Sequence, residues 1–108
     1  MNAIDECRIV NHEDDEGHPT GGSVYGVGLA IEWQIGPLGR GDERQEPNGA
    51  FVETVIAAAL QRIEFYNSGP FKCRENSLAI TKLEEAIHWL NHRTSDRELR
   101  GVEGTHTV

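Results

Sequence analysis

The chain has 108 residues and a formal net charge of −8, ten Lys and Arg set against eighteen Asp and Glu. A chain of this length is one small domain with a modest core, for which self-association is a natural source of added stability. The acidic balance excludes broad, non-specific binding to DNA, RNA or anionic membranes, which needs an excess of Lys and Arg; a small anion in a locally basic pocket remains allowed.

Residues 1–24 form an acidic N-terminal segment with "NHEDDEGHPTGG" at its centre. Within it "CRIV" can add a short strand, and the run from Glu13 to Glu16 reads as a solvated loop or hairpin tip. "MNAIDECRIV" lacks the basic and apolar regions of a signal peptide, and no apolar run approaches the length of a membrane span, so the expected location is the cytoplasm. Cys7 and Cys73 lie far apart without a CxxC partner, which suits reduced thiols better than a zinc ribbon or a disulfide scaffold.

Residues 25–47 read as a strand and a loop. Leu29, Ile31 and Trp33 alternate with Ala30, Glu32 and Gln34, a period of two that predicts one half-buried strand from about Tyr25 to Gln34. Gly26 and Gly28 weaken that strand or admit another backbone. "GPLGRG" ends it as a turn, and the charged stretch from Gly39 to Pro47 reads as a flexible loop.

Residues 48–108 read as a helical hairpin and a tail. Asn48 is placed to cap a first helix in which Val52, Val55, Ile56, Ala59, Leu60, Ile63 and Tyr66 follow a helical repeat. Its apolar face is wide, so this helix is expected to be central and packed on two sides. "NSGP" stops it. A second helix runs from near Arg74 to about His92, with Leu78 or Ala79, Leu83, Ala86, Ile87 and Leu90 as its buried stripe. The short gap between the two favours an antiparallel hairpin. "SDRE" fits a capping box on Ser95, which would break the second helix at Thr94 and restart it to end at Gly101.

Chemistry-bearing residues concentrate in this C-terminal half. Arg93, Arg97 and Arg100 stand four and three apart, a spacing that shares one face of an unbroken helix. Their planar guanidinium forks suit phosphate oxygens, although Asp96, Glu98 and Glu103 are at hand to neutralise them as surface ion pairs. Tyr66 ends the first helix and Asn76 opens the second, so a hairpin brings them near each other. An aromatic ring can stack on a base and an amide can read its edge; a core tyrosine and a capping asparagine are the plainer alternatives. His88 and His92 have a spacing that zinc sites use, but no HExxH surrounds them and no third ligand follows, so no metal site is expected. There is no dinucleotide fingerprint, P-loop or nucleophile elbow, and no catalytic residues are assigned.

"WQIGPLGRG", "PNGAFVETVI" leading to "RIEFY", "CRENSLAITKLEEAIHWLNHRT" and "DRELRGVEGTH" together resemble the Thoeris anti-defence sponge family of bacteriophages, whose helical hairpin is shared with the anti-CBASS cyclic-dinucleotide sponges. The resemblance runs from about Tyr25 to the C-terminus. It implies an α+β fold, a small N-terminal antiparallel sheet followed by a two-helix C-terminal hairpin, assembled as dimers and in many members as hexamers built from dimers. It implies a binding protein without cofactor, acting in the cytoplasm of the infected host. Such a protein sequesters a cyclic nucleotide immune signal, glycocyclic ADP-ribose, in pockets between protomers and leaves it intact. Some members also hold cyclic di- or trinucleotides at separate sites. A hydrolase of the same signal, or an inhibitor that binds a defence protein directly, are the alternative functions.

Carried over residue by residue, the resemblance gives Tyr66 as the ring that stacks on adenine, with Phe65 adjacent and Phe the commoner residue at that place in the family. It gives Asn76 as the amide that bonds the nucleotide, and Arg93 and Arg97 as the phosphate ligands. A cyclic ADP-ribose carries two phosphates, a purine and two riboses; two arginines, a ring and an amide match it in charge, stacking and edge contact.

Overall fold

A computed structural model describes residues 6–108, so the first five residues of the acidic segment lie outside it. The fold is α+β: a three-stranded antiparallel sheet in the order β1-β2-β3, followed by two helices. It divides into two compact units, one holding the sheet with residues 102–108 of the tail, the other spanning Val52–Gly101.

In the sheet unit, β1 (Arg8–Glu13) pairs with β2 (Pro19–Gly26), and β2 with β3 (Leu29–Glu32). The short strand anticipated at "CRIV" is therefore present as part of β1, and residues 14–18 form the hairpin tip. The tip is organised by Asp14, whose Oδ1 accepts the amide hydrogens of Glu16 and His18, both at 2.9 Å. The bond from the His18 amide is the main reason the Asp14 carboxyl sits below the ordinary carboxylate range.

The single strand expected from Tyr25 to Gln34 is instead a hairpin. Gly26 pairs with Leu29, leaving Val27 and Gly28 as a two-residue loop, and Gly28 adopts φ +73, a left-handed value that glycine takes without steric cost. Alternation of apolar and polar residues marked the strand but not the reversal inside it. Across this hairpin the Tyr25 hydroxyl donates to Glu32 Oε1 at 2.7 Å, a diagonal pair on one sheet face.

Beyond β3 the chain is tied into place by backbone approach. Trp33 bridges Ala50 in parallel; Gln34 N donates to Ala50 O at 3.0 Å and Ala50 N to Glu32 O at 2.7 Å. Asn48 does not cap a helix. Its side-chain Oδ1 accepts from Ile35 N at 2.8 Å, and its own amide donates to Gln34 Oε1 at 2.8 Å. The detour of residues 49–51 delays the first helix by several residues. The loop from Gly39 to Pro47 contains a short 3-10 turn at Gly41–Glu43 and is stitched to the tail: Gly39 N donates to Gly104 O at 2.8 Å, and Arg44 pairs with Glu103 at 2.6 Å.

The helical unit consists of α1 (Val52–Asn67) and α2 (Arg74–Leu99) packed as a hairpin. Its connection is fastened by Asn67, whose Oδ1 accepts from Cys73 N and whose Nδ2 donates to Ser77 Oγ, both at 3.1 Å. Cys73 is the N-cap of α2, its sulfur accepting from Asn76 N at 3.4 Å. The half-buried stripe of α2 includes Ala79, Leu83, Ala86, Ile87 and Leu90, whereas Leu78 is exposed.

Two expectations for these helices are corrected. α2 does not break at Thr94: it runs unbroken to Leu99 with Ser95 inside the helix, and the Thr94 hydroxyl bonds back to Leu90 O at 3.2 Å within the continuous helix. Nor is α1 packed on two sides. No residue of either helix is buried, and the same holds for every described residue of the chain. Within the helical unit α1 has α2 as its partner, and a two-helix hairpin cannot close a core from one layer.

Candidate functional site

The four residues assigned from the sequence all lie in the helical unit, in two pairs. Tyr66 stands in the last turn of α1 and Asn76 in the first turn of α2, so they flank the connection between the helices. Arg93 and Arg97 lie near the C-terminal end of α2. Because that helix is continuous, the two arginines four residues apart share a face.

At the connection end, aromatic surface gathers. Phe65 is 58% exposed, Tyr66 42% and Phe71 74%. Asn76 is half-buried and its Nδ2 donates to Phe71 O at 3.2 Å, which fixes the amide plane and leaves Oδ1 as its remaining acceptor. Arg62, which the sequence reading did not single out, places its guanidinium 4.8 Å from the Tyr66 ring centroid and 5.1 Å from that of Phe65. The signal was in the spacing, since Arg62 is four residues before Tyr66 and three before Phe65 on one helix.

At the other end, Arg97 is half-buried on the stripe of α2 and Arg93 is exposed. The acidic neighbours neutralise the stripe in part and leave Arg93 out of it. Asp96 faces Arg100 at 3.8 Å, and Glu103 is held by Arg44. Arg93 makes no ion pair among the described residues. A guanidinium at this end is thus available to an anion, and it lies close to the arginine four residues on.

The two pairs do not meet within one chain. Seventeen residues separate Asn76 from Arg93 along one helix, which at 1.5 Å per residue is about 25 Å. Asn76 and Arg97 are further apart still. A cyclic nucleotide of ordinary size spans far less than this. One hairpin therefore carries two candidate half-sites, a ring and an amide at its closed end and a pair of guanidinium groups at its open end.

His88 and His92 are both exposed, each edge-on to Trp89 with ring centroids 5.6 and 5.8 Å away. Trp89 is itself 65% exposed. Cys73 is an exposed thiol outside any disulfide. Among the described residues no helix is long and apolar enough to cross a membrane.

Residues 29–95, which include Tyr66, Asn76 and Arg93 but stop short of Arg97, match the model of the Acb2/Tad1 hairpin domain. Thoeris anti-defense 1 of Bacillus phage SBSphiJ7 is 47% identical over 76 residues, covering 70% of this chain and 51% of the relative. The chain spans about half the length of the curated relative it matches.

Proposed function

The chain belongs to the Acb2/Tad1 hairpin-domain family, that of the Thoeris anti-defence proteins, and from that premise we propose that it is a phage anti-defence protein that sequesters a cyclic nucleotide signal. The signal is glycocyclic ADP-ribose, and cyclic di- or trinucleotides are further candidates. The protein acts in the cytoplasm of the infected host and holds the signal without cleaving it. Tyr66 stacks on the purine, Asn76 accepts from its edge, and Arg93 and Arg97 hold the phosphates.

The observation that carries this reading is the division of the four residues between the two ends of the helical hairpin. A complete pocket requires the closed end of one hairpin to face the open end of another. An antiparallel pair of hairpins related by a two-fold axis does this twice, giving two identical composite sites. The absence of any fully buried side chain among the described residues supports the same conclusion, because apolar surface left half-covered can be buried against a copy of the chain. The functional unit is accordingly a homodimer, and a trimer of such dimers is the natural larger assembly.

Sequestration is a matter of affinity, and affinity rises when the site is formed before the ligand arrives. The Asn76 amide is already oriented by Phe71 O, and both arginines are carried on one rigid helix. Nothing in this arrangement needs a nucleophile or a general base, so the signal leaves as it entered.

The test is calorimetric titration with glycocyclic ADP-ribose, followed by heat denaturation and identification of the released compound. Tight binding with the intact compound recovered supports sequestration. A cleaved product makes the protein a hydrolase. Absence of binding to this and to cyclic di- and trinucleotides, with capture of a defence protein instead, makes it a direct inhibitor.

A further inference from the structure

Outside the hairpin, the sheet unit brings together three residues that the proposed signal site does not use. Asp14 and His18 belong to the tip of the β1–β2 hairpin, and His106 comes from the C-terminal tail, 88 positions further along the chain. One ligand atom from each lies within 4.8 Å of the others. The two imidazole rings are 4.2 Å apart between centroids, tilted by 33°. His18 Nδ1 stands 3.2 Å from Asp14 Oδ2.

We propose that Asp14, His18 and His106 form a binding site for a divalent transition-metal ion of the zinc class, which clips the C-terminal tail to the β1–β2 tip. Three observations carry it. The donor set is two imidazole nitrogens and one carboxylate oxygen, a combination that zinc accepts with a fourth position left to water. The spacing is right: two donors about 2.0–2.1 Å from a tetrahedral ion lie about 3.3 Å from each other, close to the separation already held by His18 and Asp14. The carboxylate is also pre-set. Asp14 Oδ1 is occupied by the Glu16 and His18 amides, which leaves Oδ2, the oxygen facing His18, as the ligating atom, the arrangement by which outer bonds orient a ligating oxygen.

The tail is brought to this place independently of any ion. Gly104 O accepts from Gly39 N, Glu103 pairs with Arg44, and Arg40 Nη1 donates to Glu103 O at 3.0 Å. His106 follows two residues later. Glu16 Oε2, 3.7 Å from His18 Nδ1, is a second carboxylate within reach of the same position. An ion here converts loose stacking of two imidazoles into a cross-link between residues distant in sequence, and so stabilises the folded sheet unit by mass action.

The experiment uses the full chain without an affinity tag, stripped with a chelator, and titrates Zn2+ by calorimetry and Co2+ by its visible absorption. Since His88 and His92 offer a second imidazole pair, the His88→Ala/His92→Ala variant is titrated alongside. The expected result is one equivalent of metal bound by the wild type and by that variant, with the absorption of a near-tetrahedral cobalt centre. His18→Ala and His106→Ala each weaken binding at least as much as loss of an outer-shell partner does, about 10–100-fold. Zn2+ raises the melting temperature of the wild type and not that of His106→Ala; His106 lies in the exposed tail, so this variant keeps its fold, checked by circular dichroism. Metal affinity unchanged in both His18→Ala and His106→Ala overturns the proposal, as does binding that disappears when His88 and His92 are replaced.

Discussion

The guanidinium of Arg62 lies 4.8 Å from the centroid of the Tyr66 ring, on the same helix and one turn before it. A cation on one face of the ring leaves the opposite face to a base and fixes the ring's orientation. Removing the ring should therefore cost the proposed complex the stacking energy, about 1–3 kcal/mol for Tyr66→Ala, with Tyr66→Phe nearly neutral. Arg62→Ala should cost less, about 0.5–1 kcal/mol, the scale of an exposed cation–π contact. Calorimetry on the three variants, with Phe65→Ala beside them, checks this. A larger loss for Phe65→Ala than for Tyr66→Ala would move the stacking role to Phe65, whose ring Arg62 also covers at 5.1 Å.

Because the two proposed half-sites stand about 25 Å apart along the hairpin, binding should be recoverable by mixing two inactive proteins. Tyr66→Ala/Asn76→Ala lacks the closed-end half and Arg93→Ala/Arg97→Ala the open-end half. Each alone should fail to bind. Unfolded together and refolded, they should regain a fraction of the wild-type capacity, since a mixed dimer has one intact composite site and one doubly deficient one. Mixing without any recovered binding, with mixed dimers verified by mass spectrometry, would show that the four residues do not share one composite pocket across the dimer and would overturn the split.

Arg93 and Arg97 should act on affinity through charge-assisted hydrogen bonds. Each Ala substitution is expected to weaken binding by about 1.5–3 kcal/mol. Replacement of either by Lys should restore only part, because an ammonium offers a point charge and not a fork. Titrations at two salt concentrations should show a smaller salt dependence in the Ala variants than in the wild type. Unchanged affinity in both Ala variants would remove the arginines from the pocket.

The helices were legible in the sequence because their signals are periodic and local. The stripe through Ala79, Leu83, Ala86 and Leu90 needs nothing beyond helical spacing. What the sequence hid was set by contacts between distant residues. Asn48 has the chemistry of a cap, yet Gln34 and Ile35 claim it. "SDRE" has the form of a capping box, yet it lies inside a helix that runs on to Leu99. The strand of Tyr25 to Gln34 contains a reversal because Gly28 takes a left-handed conformation, which no hydrophobic pattern announces. The candidate site was legible as residue types and not as an arrangement: the hairpin explains why Tyr66 and Asn76 flank one connection, and the same hairpin holds both far from the arginines. The cluster of Asp14, His18 and His106 could not be read at all, since it joins residues from opposite ends of the chain.

Tyr25 should titrate above the usual tyrosine range, first because its hydroxyl donates to the Glu32 carboxylate and then because it is partly desolvated. Losing that proton would leave two anions in contact. Since the folded-state pKa is raised, the contribution of this pair to stability is complete below the ordinary tyrosine pKa of about 10 and disappears as pH rises through the folded value. Tyr66→Phe leaves Tyr25 as the single tyrosine, so its ionisation can be followed by tyrosinate absorbance. Adding Glu32→Gln should lower the midpoint and reduce the loss of thermal stability between pH 9 and 11, roughly the range around that ordinary value. A midpoint that does not respond to Glu32→Gln would show that the cross-strand bond is not formed in solution.

Asn67 fastens the connection on which Tyr66 and Asn76 depend. Its side chain accepts from Cys73 N and donates to Ser77 Oγ, joining the end of α1 to the first turn of α2. Asn67→Ala removes both bonds and leaves the Cys73 amide without this partner, a loss of about 1–2 kcal/mol in a partly exposed setting. Asn67→Asp should be milder. It keeps the acceptor for Cys73 N, and the Ser77 hydroxyl can turn to donate to the carboxylate, giving up its 3.3 Å bond to Cys73 O in doing so. Thermal or urea unfolding should therefore rank wild type above Asp above Ala. Signal binding should follow the same order even though Asn67 touches no part of the proposed ligand, because a slack connection lets the Tyr66 ring and the Asn76 amide lose their relative position. If Asn67→Ala lowered stability but left affinity unchanged, the closed end of the hairpin would not be the half-site that recognises the purine.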